Sequence, residues 1–299
     1  MTLTAFFLIL ASALLHASWN LLSKARRPSA VFYFQASLTA TLVWLPVLLF
    51  GGFDFAVLPW HFWLILGASG VAECCYFIGL ANAYRGSDIS LAYPMLRSLP
   101  VLLTGLLTAV FGLGRPPSAL CWLGMGLISG GCLIMPLANF GQLRWRTYVN
   151  PMIVFILLGA CGTTGYTIID SIGSGIVRAA TPEASRIFQS CVYLGMVEPL
   201  IALTLAGVVL ASRVERREFR DHFLRSPYPV IAGLCSTAAY WLVLLAMGFV
   251  DNVSYVQAFR QMSLPICVLA GSILLKERVS RPRLAGFLAV IAGLLLTVL

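Results

Sequence analysis

Long apolar runs alternate with short polar stretches along the whole chain. A run of about 20 apolar residues is long enough to cross a bilayer as an α-helix, and the pattern predicts ten such helices. Turn-forming residues separate them, among them Pro28, Gly51, Pro151 and Pro227. The predicted spans are roughly 2–23, 31–51, 62–84, 89–112, 118–137, 151–171, 185–211, 227–249, 253–275 and 282–299.

The two halves of the chain carry matching spans, each with one arginine in its first half. Arg97 in the fourth span and Arg260 in the ninth are 163 positions apart, and the residues around them align at this shift without a gap. This indicates an internal duplication, with repeats over residues 1–139 and 151–299. Five spans in each repeat force the repeats into opposite orientations, as in many transporters. The predicted fold class is an all-α integral membrane protein with ten transmembrane helices in two inverted five-helix repeats.

Composition and charge support a membrane protein and exclude a large soluble domain. The chain is 60% hydrophobic and 10% charged, whereas soluble domains average about 25% charged residues. The net charge of +9 comes from basic loops, so we expect the lipid bilayer, and no nucleic acid, as the partner of these residues. The 8 cysteines lack the spacing of a zinc or redox site, and no metal or cofactor is expected.

Basic residues favour one side of the predicted membrane. Of the 20 lysines and arginines, fifteen lie in loops that follow odd-numbered spans. Only Arg115, Arg178 and Arg186 lie in loops that follow even-numbered spans. Because positive loops stay in the cytoplasm, this bias predicts that the odd-numbered loops are cytoplasmic and that both termini are outside.

Four charged residues lie well away from the ends of predicted spans: Glu73, Arg97, Glu198 and Arg260. Charges in hydrocarbon are costly and face partners or water-filled cavities. Two alternatives stay open, structural salt bridges or a cavity that meets substrate or protons, and we favour the cavity because buried ion pairs add little net stability. Arginine suits a carboxylate or phosphate. Glu73 and Glu198 are candidate proton carriers, since burial disfavours an ionised carboxylate.

Aromatic and amide residues accompany these charges. His16 and Asn20 are four positions apart and share one helix face, with Trp19 beside them. Neither G-x-S-x-G nor H-E-x-x-H occurs, so no catalytic residue or enzymatic activity is expected. The predicted cavity residues are His16, Trp19, Asn20, Glu73, Tyr76, Tyr93, Arg97, Tyr166, Tyr240, Gln257 and Arg260.

Small residues in the last span of each repeat are spaced for close helix packing. Gly126 and Gly130 occur in the fifth span, and Ala289 and Gly293 occur in the tenth. Such small-xxx-small faces let helices approach closely. They predict either packing within the monomer, which we favour, or a homodimer.

Three stretches resemble the EamA family of the drug/metabolite transporter superfamily. They are H-A-S-W-N-L-L-S-K, which ends the first span, Y-R-G-S-D-I-S-L-A-Y-P-M-L-R-S-L-P, which opens the fourth, and N-V-S-Y-V-Q-A-F-R-Q with L-L-K-E-R in the ninth. The resemblance covers the whole chain. It implies a small-metabolite carrier whose cavity is lined by the first, third, fourth, sixth, eighth and ninth helices, which leaves out Glu198 on the seventh.

The expected function is therefore a secondary transporter that exports a small polar metabolite, such as an amino acid, through alternating access. Proton coupling is one option for its energy source. A channel, a non-transporting sensor and, after these, an intramembrane enzyme are the alternatives. The resemblance implies a location in the bacterial cytoplasmic (inner) membrane. It also implies that both termini are cytoplasmic, which is the opposite of what the loop charges predict.

Overall fold

The computed structural model describes residues 2–25, 29–86, 89–144, 148, 151–274 and 279–297. Within these ranges all regular structure is helical. The α-helices are α1 Leu3–Ala25, α2 Ala30–Phe50, α3 Trp60–Gly86, α4 Ile89–Val110, α5 Ala119–Ile134, α6 Ile153–Ala180, α7 Arg186–Ala211, α8 Arg213–His222, α9 Tyr228–Met247, α10 Val253–Phe259, α11 Ser263–Leu274 and α12 Arg281–Leu296.

Five helices are long and apolar enough to cross a membrane: α2, α3, α6, α7 and α9. Shorter apolar stretches occur in α1, α4 and α5. Large hydrophobic side chains also cover the outside of the bundle, as expected for a surface that faces hydrocarbon. Phe50, for example, is 84% exposed and Trp60 is 75% exposed. The helices thus indicate a membrane-embedded protein, and the count of ten spans stays a prediction.

Three elements depart from the predicted spans. The ninth span is broken, because a 3-10 turn over Arg260–Met262 separates α10 from α11. The sixth helix continues to Ala180, beyond the predicted end at position 171. An additional amphipathic helix, α8, follows α7, where Ser212 caps its first turn and Phe219 packs towards α2.

The most extensive helix contacts join the two halves of the chain. They pair α1 with α9, α3 with α6, α2 with α7, and α5 with α12. Exchanging each helix for its counterpart in the other half turns the α1–α9 pair into the α3–α6 pair. The same exchange leaves the α2–α7 pair and the α5–α12 pair unchanged. This is the contact pattern that the predicted inverted repeats would produce.

The helix ends meet in two separate groups. At one end, Arg85 in the last turn of α3 forms a 2.8 Å ion pair with Glu215 of α8, and Glu215 also accepts a hydrogen bond from the Val31 backbone N–H. At the other end, Asn252 donates to the Arg115 carbonyl over 2.9 Å. We call these the odd end and the even end, because loops after odd-numbered and even-numbered predicted spans meet there.

Glycines line the seam between α5 and α12. A Cβ placed on Gly131 would lie 2.7 Å from the Gly286 carbonyl oxygen, and one on Gly124 would lie 2.6 Å from that of Gly293. The backbones are therefore in contact, which only glycine permits here. Gly293 thus packs within the monomer, as predicted, but its partner is Gly124.

Gly131→Leu should lower the free energy of unfolding by about 3 kcal/mol, because the added side chain must separate two helix backbones. Gly130→Leu is the matched control: no atom lies within 4 Å of a Cβ at Gly130 or at Gly126. The predicted Gly126–Gly130 face is therefore not the seam. Denaturation in mixed micelles measures both variants, and equal stability of the two would contradict this packing.

Candidate functional site

A small cavity lies in the middle of the bundle, where α1, α2, α3, α6, α7 and α9 meet the 3-10 turn. Its accessible volume is about 40 Å³, space for about three water molecules. Ligand pockets usually reach about 300 Å³ or more, so a metabolite requires this cavity to widen. The predicted residues that line it are His16, Trp19, Glu73, Tyr76, Tyr166, Glu198, Tyr240 and Arg260.

Arg260 brings a positive charge to the cavity wall. Its Nη2 donates to the Tyr166 hydroxyl over 3.0 Å, and its Cζ lies 5.6 Å from the ring centroids of both Tyr166 and Tyr240. Among the described residues, no carboxylate oxygen lies within 4.0 Å of its guanidinium. Neutral hydroxyls and aromatic faces stabilise the cation, so its charge is still available to an anion.

Two acids share the same cavity. Glu198 accepts a 2.8 Å hydrogen bond from the Thr237 hydroxyl, and that hydroxyl accepts one of 2.7 Å from the Trp44 indole N–H. Glu73 is only 7% exposed, and it accepts no hydrogen bond within the described part of the chain. The structure thus places Glu198 on the wall, although the family resemblance left it out.

Asp170 is a third buried acid, and the predicted set did not include it. It is 0% exposed and accepts hydrogen bonds from Ser69, Tyr193 and Tyr240. Three hydroxyl donors stabilise the ionised form of a carboxylate. The sequence signal was its position four residues after Tyr166, the same spacing that separates Tyr93 from Arg97.

Arg97 does not line the cavity. It is 1% exposed, and its Nη2 donates to the Arg260 carbonyl over 2.8 Å while its Nε donates to Gln261 Oε1 over 3.0 Å. A broken helix exposes carbonyls that need a donor. Arg97 therefore holds the 3-10 turn that carries Arg260, and it also contacts the Ser263 hydroxyl at 3.3 Å.

His16 connects the cavity to Arg97. Its Nδ1 lies 3.0 Å from the Trp19 indole nitrogen, and its Nε2 lies 3.0 Å from Arg97 Nη1. Both neighbours can only donate, whereas a neutral imidazole accepts at one nitrogen alone. One contact is thus a hydrogen bond, and the other brings two donors together; the tautomer of the imidazole decides which is which.

The remaining predicted residues either lie outside the cavity lining or have side chains that the structure does not describe. Gln257 is 0% exposed and accepts from the Thr167 hydroxyl over 3.3 Å, one turn before Arg260. The side chains of Asn20 and Tyr93 lie outside the described residues. The structure thus brings most of the predicted residues to one place, around Arg260.

Comparison with known proteins supports the fold alone. No family model matches the sequence, and no curated protein matches it. Among solved structures, one described only as the crystal structure of a protein is similar with a TM-score of 0.71. The match covers 99% of this chain and 96% of the other at 15% identity.

Proposed function

We propose that this protein is a secondary transporter of the EamA type within the drug/metabolite transporter superfamily, with ten membrane spans in two inverted repeats. The observation that carries the proposal is a buried arginine, Arg260, which shares a central cavity with Glu73 and Glu198 and has no ion-pair partner among the described residues. A merely structural charge in hydrocarbon would be paired.

The broken helix supports alternating access. Discontinuous helices at the meeting point of inverted repeats are a common way to build transporter sites. Here the break carries Arg260, and helices from both repeats surround it. Rocking of one repeat against the other would open the cavity first to one end and then to the other. The site lies within one chain, so the proposal does not require a dimer.

The cavity chemistry suits a small polar metabolite with an acidic group. The guanidinium of Arg260 would bind a carboxylate through two hydrogen bonds. Glu73 and Glu198 would face an ammonium or hydroxyl group of the same molecule. An amino acid or a related compound satisfies both requirements, and export across a bacterial inner membrane is the proposed direction.

The experiment that tests the proposal is counterflow in proteoliposomes. Vesicles with purified protein are loaded with one unlabelled amino acid at a time, and entry of the same labelled compound is measured. A carrier accumulates label transiently, because internal substrate returns its site to the outside, whereas a channel does not. Absence of counterflow for every amino acid and related compound tested would contradict the proposal.

The orientation of the chain has its own test. Val214 in α8 at the odd end and Val57 at the even end are 63% and 44% exposed, and each is replaced by cysteine after removal of the native cysteines. If the odd end is cytoplasmic, as the loop charges predict, a membrane-impermeant thiol reagent labels Val57→Cys in intact cells and leaves Val214→Cys unlabelled. The reverse pattern would favour the orientation that the family resemblance implies.

A further inference from the structure

A second pocket lies between α6, α7 and α9, towards the even end. Two arginines border it, Arg178 near the end of α6 and Arg186 at the start of α7. Arg178 Nη1 donates to the Ser174 hydroxyl over 3.0 Å. Arg186 donates to the Gly248 carbonyl and lies over the Phe249 ring, 4.4 Å from its centroid.

In the described part of the chain, no carboxylate pairs with either arginine of the second pocket. Neither has a carboxylate oxygen within 4.0 Å among the described residues, and Glu183, which lies between them in sequence, is exposed. Two positive charges beside the same pocket repel each other. The excess of basic residues on one side of the membrane does not explain these arginines either. They are two of only three basic residues that the sequence places in the even-numbered loops, on the side poor in positive charge.

The pocket also holds neutral hydrogen-bonding groups. Ser190 and Gln189 of α7 border it and are 5% exposed, and Trp241 donates to the Ser190 hydroxyl over 3.0 Å. Gly248 leaves room for the guanidinium: a Cβ there would lie 3.3 Å from Arg186 Nη1. Two guanidinium groups with hydroxyls beside them are a donor-rich arrangement that suits an oxyanion, but the pocket volume is about 10 Å³, so the pocket must widen to admit one.

The second pocket continues the line of the central cavity. Tyr166, Asp170, Ser174 and Arg178 follow one another at intervals of four residues, so each lies about one turn beyond the last, along a row that winds gradually around α6. Asp170 and its hydroxyl donors lie between the two pockets. Along the helix, Arg178 is about 12 Å beyond Asp170, at about 1.5 Å per residue.

We propose that Arg178 and Arg186 form a second anion site, at the even end, that takes a carboxylate or phosphate group. Two sources share this chemistry, the transported metabolite and the headgroup of an anionic lipid. The assignment to the metabolite rests on the proposed transport function, whereas the oxyanion site itself does not. On that assignment, the site receives the acidic group of the substrate on its way to or from Arg260.

The test uses full-length protein in phosphatidylcholine nanodiscs, titrated with inorganic phosphate at constant ionic strength. Phosphate should raise Tm of the wild type, and Arg178→Gln or Arg186→Gln should increase the half-saturating concentration about tenfold, as expected for one lost charge-assisted contact. Arg115→Gln, the third even-loop arginine, is the charge-matched control and should respond as the wild type does. Arg186→Lys keeps the charge in case Arg186→Gln does not fold.

A measurement of lipid binding distinguishes the two sources of the anion, the transported metabolite and the lipid headgroup. Native mass spectrometry counts phosphatidylglycerol retained by the wild type and by each variant. If phosphate has no effect but lipid retention depends on both arginines, the site is confirmed as a headgroup site. If neither ligand depends on Arg178 and Arg186, or if Arg115→Gln loses as much, the proposal is overturned. Because binding is measured without transport, a failure in the counterflow experiment leaves this result independent.

Discussion

Arg97→Leu is expected to lower the free energy of unfolding by about 3 kcal/mol, the loss typical of hydrogen bonds to a buried charged group, and to abolish transport. The guanidinium binds the Arg260 carbonyl, Gln261 and the Ser263 hydroxyl. Leucine removes the guanidinium donor from all three groups, although the Arg260 carbonyl keeps a hydrogen bond from the Ser263 hydroxyl, and it loosens the turn that positions Arg260. Unfolding in mixed micelles and counterflow in proteoliposomes measure the two effects.

Arg260→Leu is the matched control, because it is the same substitution at the repeat-related position. Its guanidinium faces the cavity and holds no helix break, so transport should be lost with a smaller loss of stability than in Arg97→Leu. Arg97→Lys keeps the charge and should recover part of the stability. Equal stability of Arg97→Leu and the wild type would show that Arg97 is not a support, and normal transport by both leucine variants would contradict a role for either arginine.

The sequence located the two arginines in one place without a structure. They occupy matching positions in the predicted repeats, and repeats of opposite orientation would bring matching positions to a common axis. The structure shows this contact: Arg97 Nη2 donates to the carbonyl of Arg260 itself. The sequence could not divide the roles, because the same apolar pattern surrounds both. The division depends on which helix breaks, and only the ninth span contains a 3-10 turn, among the described residues.

Hydrophobic periodicity could not predict the glycine seam or the role of Asp170. Gly126 and Gly130 show the small-xxx-small spacing, whereas Gly124 and Gly131 are seven positions apart, and only the position of α12 decides which pair is buried. Asp170 stood at a helical interval from Tyr166. Its importance comes from hydroxyls on three other helices, including Ser69 and Tyr193, whose approach no local pattern encodes.

Charge counting narrows the choice of a proton carrier. Three acids lie in the core, Glu73, Asp170 and Glu198, against two arginines, Arg97 and Arg260. If all were ionised, the set would carry one excess negative charge in a low-dielectric interior, which is costly. A proton or a cationic substrate group removes that excess. Hydroxyl donors offset part of the cost of burying an ionised Asp170 or Glu198, whereas Glu73 accepts no hydrogen bond among the described residues.

Glu73 is therefore the acid best placed to hold the proton, and Glu73→Gln tests this. The amide keeps the shape of the protonated carboxyl but cannot release a proton. If proton exchange at Glu73 couples a pH gradient to export, the variant should lose uphill transport driven by that gradient and keep counterflow, which needs no net proton movement. Uptake into proteoliposomes with an imposed pH gradient measures the first, and equilibrated vesicles measure the second.

Glu198→Gln is the matched control, because it makes the same substitution on another helix that lines the cavity. It should keep gradient-driven transport, since Glu198 is already satisfied by Thr237. Survival of uphill transport in Glu73→Gln would remove Glu73 as the carrier, and its loss only in Glu198→Gln would transfer the role to Glu198. If the wild type shows no gradient-driven transport, the protein is a facilitator, and Glu73 is then a fixed counter-charge that balances Arg260 across the cavity.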